Sequence, residues 1–254
     1  MNTLTIARKE LTSYFRSPIA YGVIAFFALI AGYFFYASVI FFVRRGTEMA
    51  MMGQSQPMDV NEYVIRPLFS NISVIALFLI PMISMRLFAE EKRTGTIELL
   101  VTSPLSDMSI ILGKWLAAVA LFVGMLVVSA LSMSMLFFYG SPDWRPILVG
   151  YLGLFLMGAS LLAIGTYIST LSKNQIVAGV ATFAICLMLW ILNWVTEFGT
   201  SIPERVAGYI AITSHLDSFG KGVLDLKDVV YYLSVIFVGL FLTARSLESL
   251  RWRA

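Results

Sequence analysis

The sequence predicts an all-α integral membrane protein with six transmembrane helices. Its mean hydropathy is +0.84. Only 13% of its residues are charged, about half the ~25% of globular chains. Those charges are gathered so that six long uncharged runs remain between them.

The runs lie between Arg16 and Arg44 (27 residues), Arg66 and Arg86 (19), Lys114 and Asp143 (28), Arg145 and Lys173 (27), Lys173 and Glu197 (23), and Asp228 and Arg245 (16). A bilayer core takes about 20 apolar residues, with a range of about 17 to 25, so five runs suffice outright. The sixth, VVYYLSVIFVGLFLTA, spans if Lys227 and Arg245 reach for the interfaces, with Tyr231 and Tyr232 at one boundary. The expected spans are 18–43, 67–88, 110–139, 147–171, 175–197 and 228–246, in one domain covering residues 1–254. The first run exceeds the roughly 7–15 residues of a signal-peptide apolar region and is read as a retained span.

An even number of spans puts both termini on one side. That side carries 11 basic residues against 7 on the other, while the acids run 6 against 9. The positive-inside rule therefore places both termini in the cytoplasm. Between spans one and two, RRGTEMAMMGQSQPMDVNEYVIRP reads as a loop. Pro81 is expected to kink the second span near its end. Gly158, Ala159, Ala163 and Gly165 in the fourth span, and Ala178, Gly179, Ala181 and Thr182 in the fifth, suit close helix approach.

The densest charge follows the second span. Glu90, Glu91, Lys92 and Arg93 form a rim, Gly95 permits a change of direction, and TIELLVTS is a short helix stopped by Pro104. Ile97, Leu100 and Val101 share one face of that helix with Glu98 off it, so it lies flat on the boundary. Ser106 then caps the third span, with Asp107 in its first turn. Between spans five and six, VAGYIAITSHL is too short to cross and reads as a re-entrant or interfacial outer segment.

The inventory narrows the function. No ionisable residue falls near the middle of a span, which disfavours proton relays, ion-coupled transporters and voltage sensors. One His and one Cys leave no internal metal cluster or disulfide. A serine-protease reading is disfavoured because His215 falls outside the membrane, where a structural interface role is expected. The Gly-Lys pairs, LGKW and FGKG, lack the other residues of a phosphate-binding loop, so the chain is not expected to hydrolyse ATP. Nucleic acid is not an expected partner.

The stretch FAEEKRTGTIELLVTSPLSDMSIILGKW resembles the coupling segment of type-2 ABC exporter permeases, in which an acidic pair, a GT-x-E-L-L run and a T-x-P stop follow the second helix. The N-terminal ARKELTSYFRSPIAYGVIAFFALIAGYFF, the STLSKNQIVAGV between spans four and five, and SHLDSFGKGVLDLKDVVYYLS resemble the gliding-motility-type permeases, the GldF group.

The resemblance implies an elbow helix over Leu4 to Arg16 on the inner membrane surface, with Arg8, Lys9 and Arg16 as its charges. It implies an ATPase-coupling helix over Gly95 to Ser103, with Glu90, Glu91, Arg93, Gly95, Thr96, Glu98 and Pro104 as site residues. A second cytoplasmic contact falls at Ser172, Lys173, Asn174 and Gln175, and an outer gate at Tyr209, His215 and Asp217. It further implies two copies of an ABC ATP-binding subunit that carry the ATP and Mg, with no cofactor on this chain. A second permease copy or homologous subunit completes the pore in a bacterial inner membrane, and an outer-side accessory subunit is compatible with it. Glu90, Glu91 or Glu98 is expected to pair with Arg8, Lys9 or Arg16 of the elbow, or with basic residues of the ATPase. Two readings stay open: an exporter half-permease, and a mechanotransmission subunit that drives outer-side proteins with little transport. A membrane enzyme or self-sufficient channel is disfavoured.

Overall fold

The computed structural model describes residues 3–53, 58–97, 105–139, 142–195 and 202–251, and no strand occurs among them. Helix α1 covers Thr3–Arg16 and α2 covers Pro18–Met51. A π-helical turn, Asn61–Ile65, leads into α3 (Arg66–Ser84), and α4 (Arg86–Thr94) follows after Met85. Next come α5 (Asp107–Ser134), the single turn α6 (Leu136–Tyr139), α7 (Trp144–Leu171) and α8 (Gln175–Val195). The chain ends with α9 (Ile202–Ile210), α10 (Ser214–Gly220) and α11 (Leu226–Arg251).

Six stretches are long and apolar enough to cross a membrane: Ala20–Met51, Asn61–Thr94, Asp107–Phe138, Trp144–Leu171, Gln175–Trp194 and Leu226–Ser249. The fold is thus an all-α membrane bundle with short helices between its fifth and sixth spans. The segment after residue 43 differs from the expected loop, because α2 continues as helix to Met51. Its 34 residues extend about 51 Å at ~1.5 Å per residue, beyond a ~30 Å hydrocarbon core.

Helix α7 is the centre of the bundle and touches α3, α4, α5, α8, α10 and α11. In lipid there is no hydrophobic drive between apolar helices, so shape decides which of them approach. On α7 the shape comes from glycine. A Cβ added at Gly158 would lie 2.0 Å from the Phe122 ring of α5, and one at Gly150 would lie 2.0 Å from the Phe69 ring of α3. Gly165 likewise admits Ser84, whose Oγ would be 2.2 Å from the added atom.

Four buried hydroxyls in the spans bond within their own helices. Ser160, Thr166, Thr182 and Thr243 each donate to a carbonyl three or four residues back, at 2.6–2.8 Å. That is the partner lipid cannot supply. Between helices, Trp115 Nε1 donates to the Ala159 carbonyl at 3.1 Å and fastens α5 to α7.

Candidate functional site

At the end of the bundle that holds α1, charged side chains of α1, α4 and α5 converge. Helix α4 buries Leu87, Phe88 and Ala89 and turns its polar face outward. Lys92 and Arg93 sit in its last turn, where the carbonyl end of a helix favours cations. Gly95 ends the helix at φ +75°, ψ 0°, a left-handed position that glycine takes without a Cβ penalty. The change of direction expected at Gly95 is therefore present. Ser106 caps α5 as expected, with its Oγ accepting from the Ser109 amide at 3.3 Å and Asp107 in the first turn.

Lys114 of α5 is the centre of this region. Its side chain is 3% exposed, and Nζ lies 2.7 Å from Glu91 Oε1 of α4 and 3.1 Å from Glu10 Oε1 of α1. It also stands 5.4 Å from the Phe88 ring centroid. One ammonium thus joins three helices. The second Glu91 oxygen is buried without a hydrogen-bond partner among the described residues.

The expected pairing of Glu90 or Glu91 with Arg8, Lys9 or Arg16 does not form. The elbow offers an acid, Glu10, and the cation comes from α5. The reason is helical phase. Ile6, Glu10 and Tyr14 recur every four residues and turn toward the bundle, whereas Arg8, Lys9 and Arg16 are exposed on the other side beside Thr5, Thr12 and Ser13. Glu90 instead pairs with Arg86 one turn back, at 3.1 Å. Burial, reinforced by the Glu10 carboxylate, pushes the Tyr14 phenol well above its usual range, so Tyr14 is neutral beside this acid.

Gly113 lets α1 reach α5. A Cβ there would fall 2.7 Å from Ile6 Cβ and 3.1 Å from the Thr3 carbonyl oxygen. Gly113→Val is expected to displace Ile6 and loosen α1 at a cost of about 1–3 kcal/mol, the usual range for overpacking. Trypsin cleavage at Arg8 and Lys9 should then accelerate in the detergent-solubilised protein. Unchanged cleavage together with an unchanged melting temperature would refute this contact.

Two of the expected cytoplasmic segments meet. Glu90, Arg93 and Thr94 of α4 line one crevice of about 300 Å³ with Gln175, Met85 and Arg86. The turn before α8 is self-braced. Ser172 Oγ accepts from the Asn174 amide at 3.0 Å, and Asn174 Oδ1 accepts from the Ile176 amide at 2.9 Å. Lys173 is exposed. Thr96 keeps its hydroxyl 2.9 Å from that of Thr94. Glu98, Pro104 and most of the expected coupling helix lie outside the described residues.

At the opposite end, VAGYIAITSHL forms parts of two short helices, α9 and α10, rather than one. The Ile212 amide donates to the Leu189 carbonyl of α8 at 3.2 Å, which draws the chain out of helical hydrogen bonding between them. Asp217 pairs with Arg66 at 2.5 Å and Lys221 at 2.6 Å. Burial alone would raise the Asp217 carboxyl, but the hydrogen bonds from Lys221 and Arg66 prevail and hold it below the usual carboxylate range. His215 is buried, with Nδ1 2.7 Å from Asp228 Oδ1 and Nε2 2.9 Å from the Tyr209 carbonyl. Its ring stacks on Tyr231 at 3.9 Å. Tyr209, His215 and Asp217 are thus near one another, but Asp217 belongs to an exposed ion cluster and His215 to a buried one. Arg66, Phe69, Trp190, Trp194 and Asp217 are among the residues around a neighbouring cavity of about 400 Å³.

Six spans packed round a glycine-lined helix, with ion pairs at both ends, define a multi-pass membrane protein. Residues 4–211 match the family model described as an ABC-2 family transporter protein, and the chain belongs to that family. No curated protein matches it. The chain is therefore a membrane permease subunit of an ABC transporter, the component that pairs with an ABC ATPase subunit.

Sequence reasoning missed Glu10, Lys114 and Ser169, whose hydroxyl meets α4. The four-residue spacing of Ile6, Glu10 and Tyr14 was the available signal for Glu10. For Lys114 and Ser169 the chain itself carries none.

Proposed function

We propose that this chain is half of an exporter permease in a bacterial inner membrane, with the α1 end and both termini in the cytoplasm. It works as a pair with a second copy or a homologous subunit. Two ATP-binding subunits hold the ATP and Mg. The observation that carries this reading is the Lys114 junction, because it ties the α4 rim directly to the elbow and to the third span. Movement imposed on α4 then reaches α5 through a buried ion pair and α1 through the same ammonium. Closure of the nucleotide-bound ATPases biases a two-state tilt of spans two and three. Glu90, Arg93 and the Ser172–Gln175 turn form the contact surface, and α9 and α10 act as the outer gate.

A second reading, mechanotransmission to outer-side proteins, is favoured by the gliding-motility-type stretches STLSKNQIVAGV and SHLDSFGKGVLDLKDVVYYLS. Affinity purification of the tagged chain from its native membrane tests both. An ATP-binding subunit should co-purify, and Arg93→Glu with Glu90→Lys should release it while the permease stays folded. Recovery of the chain alone, without ATPase activity, would sink the coupling reading. A large outer-side protein in the same complex selects the second reading.

A further inference from the structure

The last turn of α7 meets the place where the second long helix is interrupted. Helix α3 stops at Ser84 and α4 begins at Arg86, with Met85 between them. Ser169 is fully buried at this point. Its Oγ accepts from the amides of Phe88 and Ala89, each at 3.0 Å, and donates to the Met85 carbonyl at 3.1 Å. A hydroxyl has one proton and two lone pairs, so these three backbone groups saturate it. Side chains inserted in this way are a recognised cause of helix breaks.

The surrounding contacts separate what is fixed from what is hung. One turn earlier on α7, Gly165 leaves room for Ser84 and no more, so α3 is held against α7 up to the interruption. One residue later, the Thr170 carbonyl accepts from Lys92 Nζ of α4, and the Thr170 hydroxyl lies 2.8 Å from that of Ser246 on α11. The chain then leaves α7 through the Ser172–Gln175 turn. Consecutive positions thus grip α4, reach α11 and carry the second contact segment. The buried hydroxyls of Ser160 and Thr166 bond only to their own helix, whereas that of Ser169 bonds to another.

We infer that Ser169 is a positioning residue for energy coupling. Its hydroxyl keeps the α3–α4 interruption as a pivot and fastens α4 to the end of α7, so that α4 and the Ser172–Gln175 turn move as one piece. This rests on the reading of α4 as the segment through which the ATP-binding subunit acts. Without the hydroxyl, the Phe88 and Ala89 amides lose their acceptor and α4 parts from α7.

The test has two arms. The first uses the full chain in lipid nanodiscs without a partner and reads amide hydrogen exchange. Ser169→Ala should exchange about tenfold faster over residues 88–92, the scale of one lost hydrogen bond, with α5 and α11 unchanged. Ser169→Thr, which keeps the hydroxyl, should restore the parent rate. Should threonine prove too large to fold, Ser169→Cys has serine's shape with a poor hydrogen-bonding group and should behave as alanine does. A parent-like rate in the alanine or cysteine variant overturns the inference.

The second arm uses the complex purified with its ATP-binding subunit, trapped with ATP and vanadate. The parent should change its exchange over Ile202–Gly220 at the far end. The Ser169→Ala complex should hydrolyse ATP and lose that change. An equal response in the variant overturns the role of Ser169 alone. No response in the parent sinks the coupling reading, and the role of Ser169 with it.

Discussion

Replacing Lys114 with methionine is expected to lower the melting temperature of the purified protein by on the order of 10 °C. The side chain is 3% exposed and sits between Glu91 at 2.7 Å and Glu10 at 3.1 Å. Methionine fills nearly the same space, so the loss is electrostatic. Two carboxylates are left without the cation that bridges them, and breaking a buried ion pair by removing one partner costs roughly 3–5 kcal/mol. At about 2–4 °C per kcal/mol for a chain of this size, the shift is far outside measurement error. The triple replacement Lys114→Met, Glu10→Gln, Glu91→Gln should recover more than half of it, because neutral amides tolerate burial better than orphaned charges. Thermal unfolding followed by size-exclusion chromatography measures both variants. A single mutant as stable as the parent would show that the two acids carry no uncompensated charge at this junction.

This junction also explains which parts of the molecule could be read from the chain. Splitting the sequence at its charges located six spans, because a bilayer excludes unpaired charge from long apolar runs. The same rule says nothing of which partners a charge finds. Lys114 falls inside the expected third span and in the second turn of α5, and a lysine neutralised by two distant acids looks identical in sequence to one in water.

Local chemistry was more legible than long-range pairing. The Ser106 cap, the Gly95 turn and the small residues of α7 each depend on a residue's own shape or its near neighbours. The small residues at Gly158 and Gly165 meet Phe122 and Ser84, as their lack of a side chain permits. Which large residue fills each notch is a tertiary fact. The elbow shows the intermediate case. Its composition is basic, but Ile6, Glu10 and Tyr14 share a face, and helical phase outweighs the count of charges. Ser169 was illegible for a different reason: a serine near the end of an apolar helix usually bonds its own backbone, and only the neighbouring break in α3–α4 gives it another partner.

At the far end, the buried pair of His215 and Asp228 should respond to substitution in a graded order. Asp228→Ala is expected to be severe and Asp228→Asn mild. Asp228 is 1% exposed and lies in the first turn of α11, while His215 belongs to α10, so the pair joins those helices. The partners set the proton positions. His215 Nε2 faces the Tyr209 carbonyl, which can only accept, so Nε2 carries a proton. The 2.7 Å contact between Nδ1 and Oδ1 then requires one more proton between them. That proton makes the pair neutral overall, whether it rests on nitrogen or on oxygen.

Asparagine can supply an N–H to Nδ1 or a carbonyl to an Nδ1 proton, and so keeps the bridge. Alanine supplies neither and leaves a buried ring nitrogen bare, at a cost of about 1–3 kcal/mol. The neighbours amplify the loss. Tyr231 stacks on the histidine ring and donates to the Ile210 carbonyl at 2.6 Å, and Tyr232 donates to the Ile212 carbonyl at 2.8 Å. A displaced His215 therefore loosens the connection from α9 to α10 as well. Hydrogen exchange over Ile202–Gly220, with the melting temperature, should rank the variants as parent, then Asp228→Asn, then Asp228→Ala. If asparagine proved as damaging as alanine, the carboxylate charge itself would be the holding element, and the bridging proton would belong to an imidazolium.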